Sequence, residues 1–173
     1  MNETIKTLKE RRSIRKYKEN QISDEELNQI LEAGEYAPTG RGAQSPIMVV
    51  VQDKELIKEL SKINAEIMGI TSDPFYGAPT VTIVLADKTR NTYKEDGSLV
   101  MGNLMNAAHS LGVDSCWINR AKEVFESERG KELLNDWGIE GDYEGIGHCI
   151  LGYRDCEYPK AAPRKTNYVI RIK

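Results

Sequence analysis

Four short apolar runs divide this chain, and between them the apolar residues switch to helical spacing. The runs are I-M-V-V-V from Ile47, P-T-V-T-I-V-L-A over 79–86, V-D-S-C-W-I-N over 113–119 and I-G-H-C-I-L over 146–151. Each has the length and residue types of a buried strand, and strands buried on both faces need helices over both. The segments between supply them. Ile5 and Leu8 lie one helical turn apart in a first short helix that ends near residues 11–13. Ser23 and Glu26 form a capping box ahead of Leu27, Ile30 and Leu31, a helix running to about Tyr36 and stopped by Pro38. Leu56, Leu60, Ile63 and Ile67 mark a third helix. After loops around Asp73-Pro74 and Asp96-Gly97, residues 98–111 are apolar on more than one face. That helix should be covered on both sides, by the fold or by a partner subunit, and Gly112 caps it. Val124, Leu133, Leu134 and Trp137 predict one further amphipathic helix, and Y-V-I-R-I-K at 168–173 predicts a last strand, long enough to reach a neighbouring subunit. Strict βαβ repetition is absent, so the fold class is α+β, with a mainly antiparallel sheet layered between helices.

Length and charge narrow the function. A chain of 173 residues suits one domain over 1–173 that needs no staples. No apolar run is long enough to span a bilayer, and Met1 to Lys18 lacks a secretory h-region, so a cytoplasmic protein is expected. Cys116, Cys149 and Cys156 are odd in number and form no C-x-x-C pair, which suggests neither a disulfide framework nor a zinc site. Residues 1–18 hold seven Lys/Arg against two Glu, a local charge of +5 in a chain whose net charge is −3. The acidic remainder argues against a nucleic-acid partner and for a small phosphorylated ligand.

Arg11, Arg12, Ser13 and Arg15 gather three guanidinium groups and a hydroxyl in one loop, a match for phosphate oxygens, though a solvated basic surface reads the same way. Arg164 and Lys165 could close on the same phosphate from the chain end. Neither Gly40-Arg41-Gly42 nor Gly145-Ile146-Gly147 meets a dinucleotide fingerprint, and no Walker sequence exists. His109 and His148 have no carboxylate or Cys at ligand spacing and read as structural; Ser13 has no nucleophile-elbow context. A chain with no recognisable catalytic arrangement of acid, base or nucleophile fits an enzyme that borrows its reactivity from a cofactor.

Four segments together resemble the nitroreductase family: R-R-S-I-R-K-Y at 11–17, A-P-T-G-R-G-A-Q-S-P at 37–46, N-L-M-N-A-A-H-S-L-G-V-D-S-C-W-I at 103–118 and L-G-Y with P-R-K over 151–165. The resemblance implies a three-layer α-β-α fold and a homodimer with FMN at the interface. A C-terminal segment would extend onto the partner, and helix 98–111 would form the dimer core. By position, Arg11, Arg12, Ser13 and Arg15 would hold the FMN phosphate, joined by Arg164 and Lys165. Pro38, Thr39, Gly40 and Gln44 would come from the other subunit, with Arg41 as an added charge for an anionic acceptor. Asn64 would touch the polar edge of the flavin, unless it is an ordinary helix-surface residue. Trp117, Ile118, Asn119 and Arg120 would lie where a backbone N–H approaches flavin N5, Trp117 serving more as core than as contact. Some family members carry Glu-Gly where this chain has Asn119-Arg120, and a positive Arg120 near the ring would stabilise the reduced, anionic flavin.

The implied chemistry is ping-pong transfer from NADH or NADPH through FMN to a small acceptor such as a nitroaromatic or quinone. A flavin-binding redox sensor or store without turnover is the alternative. Region 87–98 is too brief for a large helical lid, so the pocket is expected to be open.

Overall fold

The computed structural model describes residues 1–173. In chain order the elements are α1 (Glu3–Glu10), α2 (Asp24–Glu35), β1 (Pro46–Val51), α3 (Lys54–Met68), β2 (Thr80–Asp87), α4 (Tyr93–Ser110), β3 (Asp114–Ile118), α5 (Ala121–Glu126), α6 (Glu128–Asp136) and β4 (Tyr143–Gly152). The four strands form one antiparallel sheet in the order β1-β2-β4-β3. β2 lies at its centre, and Val81, Ile83, Val84 and Leu85 are wholly buried. Each such side chain contributes about 1.5–3 kcal/mol of transfer free energy.

Side chains alternate across the sheet and so feed two cores. Ile83, Leu85, Cys116 and Ile150 pack with Leu60 of α3, Val124 and Phe125 of α5 and Leu133 of α6. Val84, Cys149 and Leu151 pack with Leu27 and Ile30 of α2 and Met101 and Leu104 of α4. The result is three layers, helix on sheet on helix.

The two sheet edges differ. β3 is flanked by the chain after α1: Ile14 N–H donates to Ser115 O at 3.0 Å, and Ser13 bridges Ser115 in parallel. Tyr17 bridges Arg154, with Lys18 N–H donating to Tyr153 O at 2.8 Å. β1, on the far edge, pairs with β2 alone, and its residues from Pro46 to Val50 are only partly buried. No helix is long and apolar enough to cross a membrane.

Local signals and structure agree at α2, where Ser23 N–H donates to Glu26 and Glu26 N–H to Ser23 Oγ. Tyr153 Oη also donates to Glu26, at 2.6 Å; these bonds hold the carboxyl below its usual range and tie α2 to the end of β4.

Elsewhere the fold departs from expectation. α4 begins at Tyr93, so Asp96-Gly97 lies inside a helix rather than in a loop: Asp96 is buried and hydrogen-bonded across the fold, and Gly97 leaves room for the Ile146 side chain. The expected helix over 124–137 is two helices. Ser127 leaves helical geometry with ψ 161 and caps α6, its hydroxyl accepting from Gly130 N–H. β4 starts three residues earlier than the 146–151 run, because a bulge opposite Val84 and Leu85 accommodates Ile146. Gly145 and Gly147, unfitted to a nucleotide, are explained by packing: a Cβ at Gly145 would strike the Ala121 carbonyl, and one at Gly147 would lie 2.6 Å from Trp117 Nε1.

α4 buries Val100, Met101, Leu104 and Ala108, while Leu99 is exposed and Met105 and Asn106 are half-buried, so its own fold covers one side only. Residues 168–173 form no strand within the chain, and Tyr168, Val169, Ile170 and Ile172 are exposed. An extended segment with no neighbour to pair with cannot be a strand.

Candidate functional site

The basic loop follows directly from the end of α1. Arg12 is spent largely on structure: its Nη1 donates to the carbonyls of Lys9, Glu10 and Arg11 at 2.7–2.9 Å, closing the helix C-terminus. Arg11 is different. Its Nη1 is buried without an acceptor, as is Arg12 Nε. A cationic N–H in that position is costly unless an anion completes it, and a phosphate oxygen does so with a charge-assisted bond. Ser13 is fixed beside Ser115 by the β3 bridge, and Arg15 is exposed two residues on.

Arg15 reaches a cavity of about 180 Å³ together with Cys116, Trp117, Ile118, Asn119 and Arg120 from the end of β3. The opposite wall is Met68, Ile70, Ser72, Asp73, Pro74 and Tyr76. The sequence marks this wall only as a loop around Asp73-Pro74 with no chemical motif; Met68 is the last residue of α3, and the apolar Met68, Ile70 and Tyr76 close to that loop are the signal it offers. A larger groove of about 870 Å³ runs beside α3 and shares Ile70, Ser72 and Asp73 with that wall. It lacks the guanidinium groups, so the smaller cavity, next to Arg15 and Arg120, is the candidate site.

Asn64 is not a helix-surface residue. It is fully buried, its Nδ2 donating to Asn119 O at 2.8 Å and its Oδ1 accepting from Arg120 Nε at 2.9 Å. Arg120 itself sits at φ 71, a left-handed conformation in which bulky residues are uncommon. Trp117 packs against the α4 side of the core, its indole Nε1 buried and unpartnered. His148 lies behind the strand end with its ring 5.1 Å from Phe75 and 6.3 Å from Phe125, and burial pushes its pKa down to about 4. His109 stacks on Tyr158, whose hydroxyl donates to Glu10 O at 2.9 Å. Both histidines are occupied in packing. Cys116 and Cys149 are buried and Cys156 exposed, all as free thiols.

Pro38, Thr39, Gly40 and Gln44 gather elsewhere. Their loop is held by Asp96, which accepts from Gly40 N–H at 2.9 Å, from Thr92 Oγ1 at 3.1 Å and from Ser45 Oγ at 3.4 Å. Thr39 Oγ1 accepts from Gln44 N–H, and Arg41 and Gln44 both adopt positive φ. The loop leads into β1, on the edge opposite β3, and three strand spacings separate those edges by roughly 14 Å. One chain therefore does not bring this loop to the cavity. Arg164 and Lys165 lie in the exposed tail, where Lys165 Nζ sits 5.2 Å from the centre of the Tyr168 ring, and neither joins the N-terminal cluster.

The family model described as the nitroreductase family matches residues 8–71 and 65–153. The chain belongs to the nitroreductase family. A protein of Archaeoglobus fulgidus provisionally named NADH dehydrogenase/NAD(P)H nitroreductase is 34% identical over 159 residues, 88% of this chain and 86% of that protein. Among solved structures, a nitroreductase with bound FMN from Bacteroides fragilis superposes with TM-score 0.92 at 28% identity, over 100% of both chains. A second with bound FMN, from Desulfitobacterium hafniense, gives TM-score 0.89 at 28% identity, again over the whole of both chains. In this nitroreductase-family chain the α+β sheet and its flanking helices are thus the family's fold, and the cavity at the end of β3 is lined by two guanidinium groups, those of Arg15 and Arg120.

Proposed function

We propose that this protein is an FMN-dependent oxidoreductase, one domain over 1–173, that takes electrons from NADH or NADPH and passes them to a small acceptor of the nitroaromatic or quinone class. The observation that carries this reading is the buried, acceptor-less Arg11 Nη1 on the chain segment that flanks β3, with the Arg15 and Arg120 cavity at the end of that strand. An anionic tail at one end and a flat polar ring at the other fit that arrangement. FMN, when bound, supplies the hydride and electron chemistry. The chain's own residues would supply position and charge: Arg11, Ser13 and Arg15 would hold the phosphate with Arg12 fixing their loop, and the Trp117–Arg120 turn would face the ring. Met68, Ile70 and Tyr76 give an apolar flank for a planar acceptor. Donor and acceptor use the one cavity in turn, a ping-pong scheme, with no side-chain acid or base required at the site.

The working unit we infer is a homodimer. β1 is an apolar strand with an unpaired edge, the outer side of α4 is uncovered, and the tail carries an apolar stretch at 168–172 with nothing to pack on. Each is a liability in a lone chain, and a second copy relieves all three. The loop of Pro38, Thr39, Gly40 and Gln44 then reaches the other subunit's cavity, and Arg164 and Lys165 are carried by a tail laid over the partner. We place the protein in the cytoplasm.

The test is a visible spectrum after FMN is added and excess removed, followed by anaerobic NADH or NADPH. Retained flavin that bleaches supports the oxidoreductase. Flavin that stays oxidised points to the sensor or store, and loss of all flavin refutes the reading.

A further inference from the structure

Asn64 has no surface to offer a ligand. It is 0% exposed, and both ends of its amide are engaged, one with the Asn119 carbonyl and one with Arg120 Nε. Those two bonds converge on a single turn. The first holds the backbone just beyond β3; the second takes the inner nitrogen of the Arg120 side chain, and together they fix the left-handed conformation at φ 71. Arg120 pairs with no carboxylate, and its two terminal nitrogens have no hydrogen-bond partner within the chain, although the residue is only half exposed and lines the cavity. Asp73, the one acid lining the cavity, is occupied by Ser61 Oγ, Phe75 N–H and Gly77 N–H.

We propose that Arg120 is the residue that meets the polar edge of the ligand's ring in this cavity, and that Asn64 is its positioning residue rather than a ligand contact. The inference rests on the flavin reading above and adds to it a division of labour. A guanidinium held through Nε presents its two terminal nitrogens as a preorganised fork, suited to adjacent oxygen and nitrogen acceptors on a ring edge. Being always charged, it favours whichever redox form of the ring is more negative, and that is the reduced form. The reduction balances without a protein acid: the nicotinamide gives two electrons and one proton as hydride, and the negative charge gained by the ring is countered by Arg120.

The experiment compares the wild-type protein with Arg120→Gln, Arg120→Lys, Asn64→Ala and the Asn64→Ala/Arg120→Gln double variant. FMN affinity is read by quenching of flavin fluorescence, and midpoint potential by equilibration with a reference dye. Arg120→Gln is expected to lose about tenfold of the preference for reduced over oxidised flavin, which for a two-electron couple is a fall of about 30 mV. Lysine should restore much of that fall. Asn64→Ala should lower the potential in the same direction, and the double variant should fall no further than Arg120→Gln alone, because a positioning residue acts through what it positions. An unchanged potential in a flavin-loaded Arg120→Gln protein overturns the inference while leaving the flavin reading intact. Additive losses in the double variant overturn it too, by giving Asn64 a contact of its own. Should Asn64→Ala not fold, Arg120→Gln still decides the claim about charge. Wild-type protein that retains no FMN sinks the functional reading itself.

Discussion

Replacing Asp96 by alanine isolates what holds the 38–45 loop in place. Asp96 is 2% exposed and accepts from Gly40 N–H at 2.9 Å, Thr92 Oγ1 at 3.1 Å and Ser45 Oγ at 3.4 Å. A hydrogen bond to a charged group is worth about 1.5–3 kcal/mol net. The long Ser45 contact adds little, and the Thr92 hydroxyl can turn toward another acceptor, so the loss concentrates on the Gly40 amide. We expect Asp96→Ala to lose about 2–3 kcal/mol. With a urea m-value of about 2 kcal/mol/M the midpoint falls by roughly 1 M, and the melting temperature by about 5–10 °C. Asp96→Asn retains a carbonyl oxygen for Gly40 while its NH₂ can donate to either hydroxyl, and it should lose about 1 kcal/mol. Paired urea titrations measure both. A fall under about 0.3 M for alanine, or equal losses for asparagine and alanine, would show that the loop does not depend on this carboxylate.

Three further outcomes are expected. Gly145→Ala forces a Cβ into the Ala121 carbonyl, a backbone group that cannot swing aside, whereas Gly147→Ala meets the Trp117 ring. The first should cost about 3 kcal/mol by denaturation, and the second less, with a changed Trp fluorescence maximum. His148 is held neutral by burial, with its pKa down to about 4 from 6.5. The unfolded chain therefore takes up a proton there that the native one refuses, and stability falls as pH drops from about 6.5 toward 4, by up to about 3 kcal/mol. His148→Gln should flatten that slope in urea titrations across the range, and an identical slope in both proteins would refute the assignment. Deleting residues 159–173 removes no strand and no core residue of its own chain. It should leave far-UV circular dichroism largely unchanged and, if the proposed homodimer is the working unit, raise its dissociation constant at least about tenfold by sedimentation.

What was legible in the sequence is what is decided locally. The Ser23–Glu26 box spans one turn, and the β-branched run at 79–86 marks a central strand without help from other segments. Asp96-Gly97 misleads because the dipeptide reads as a turn from its neighbours, whereas the acceptor role that fixes Asp96 in α4 belongs to a loop 56 positions away. Ser127 gives the opposite error: an apolar stripe continued across a residue whose hydroxyl ends one helix and starts the next. At the site, the guanidinium-rich loop is visible as a cluster of charge. That Arg12 turns back to close α1 while Arg11 is left unpaired follows from side-chain paths that spacing does not encode. The same holds for Asn64 and Arg120, which meet only because α3 and the end of β3 are neighbours in space.

The unequal edges of the sheet decide how copies of this chain can add to one another. On one side the chain's own segment after α1 occupies the β3 flank; on the other, β1 is free. A sheet with two free edges can recruit a new chain at each end and grow without limit, the geometry of fibres. With only β1 free, the sheet of each copy offers a single edge for edge-to-edge pairing. Pairing through it in a two-fold arrangement uses both edges at once and leaves none behind, so this route of growth stops at two.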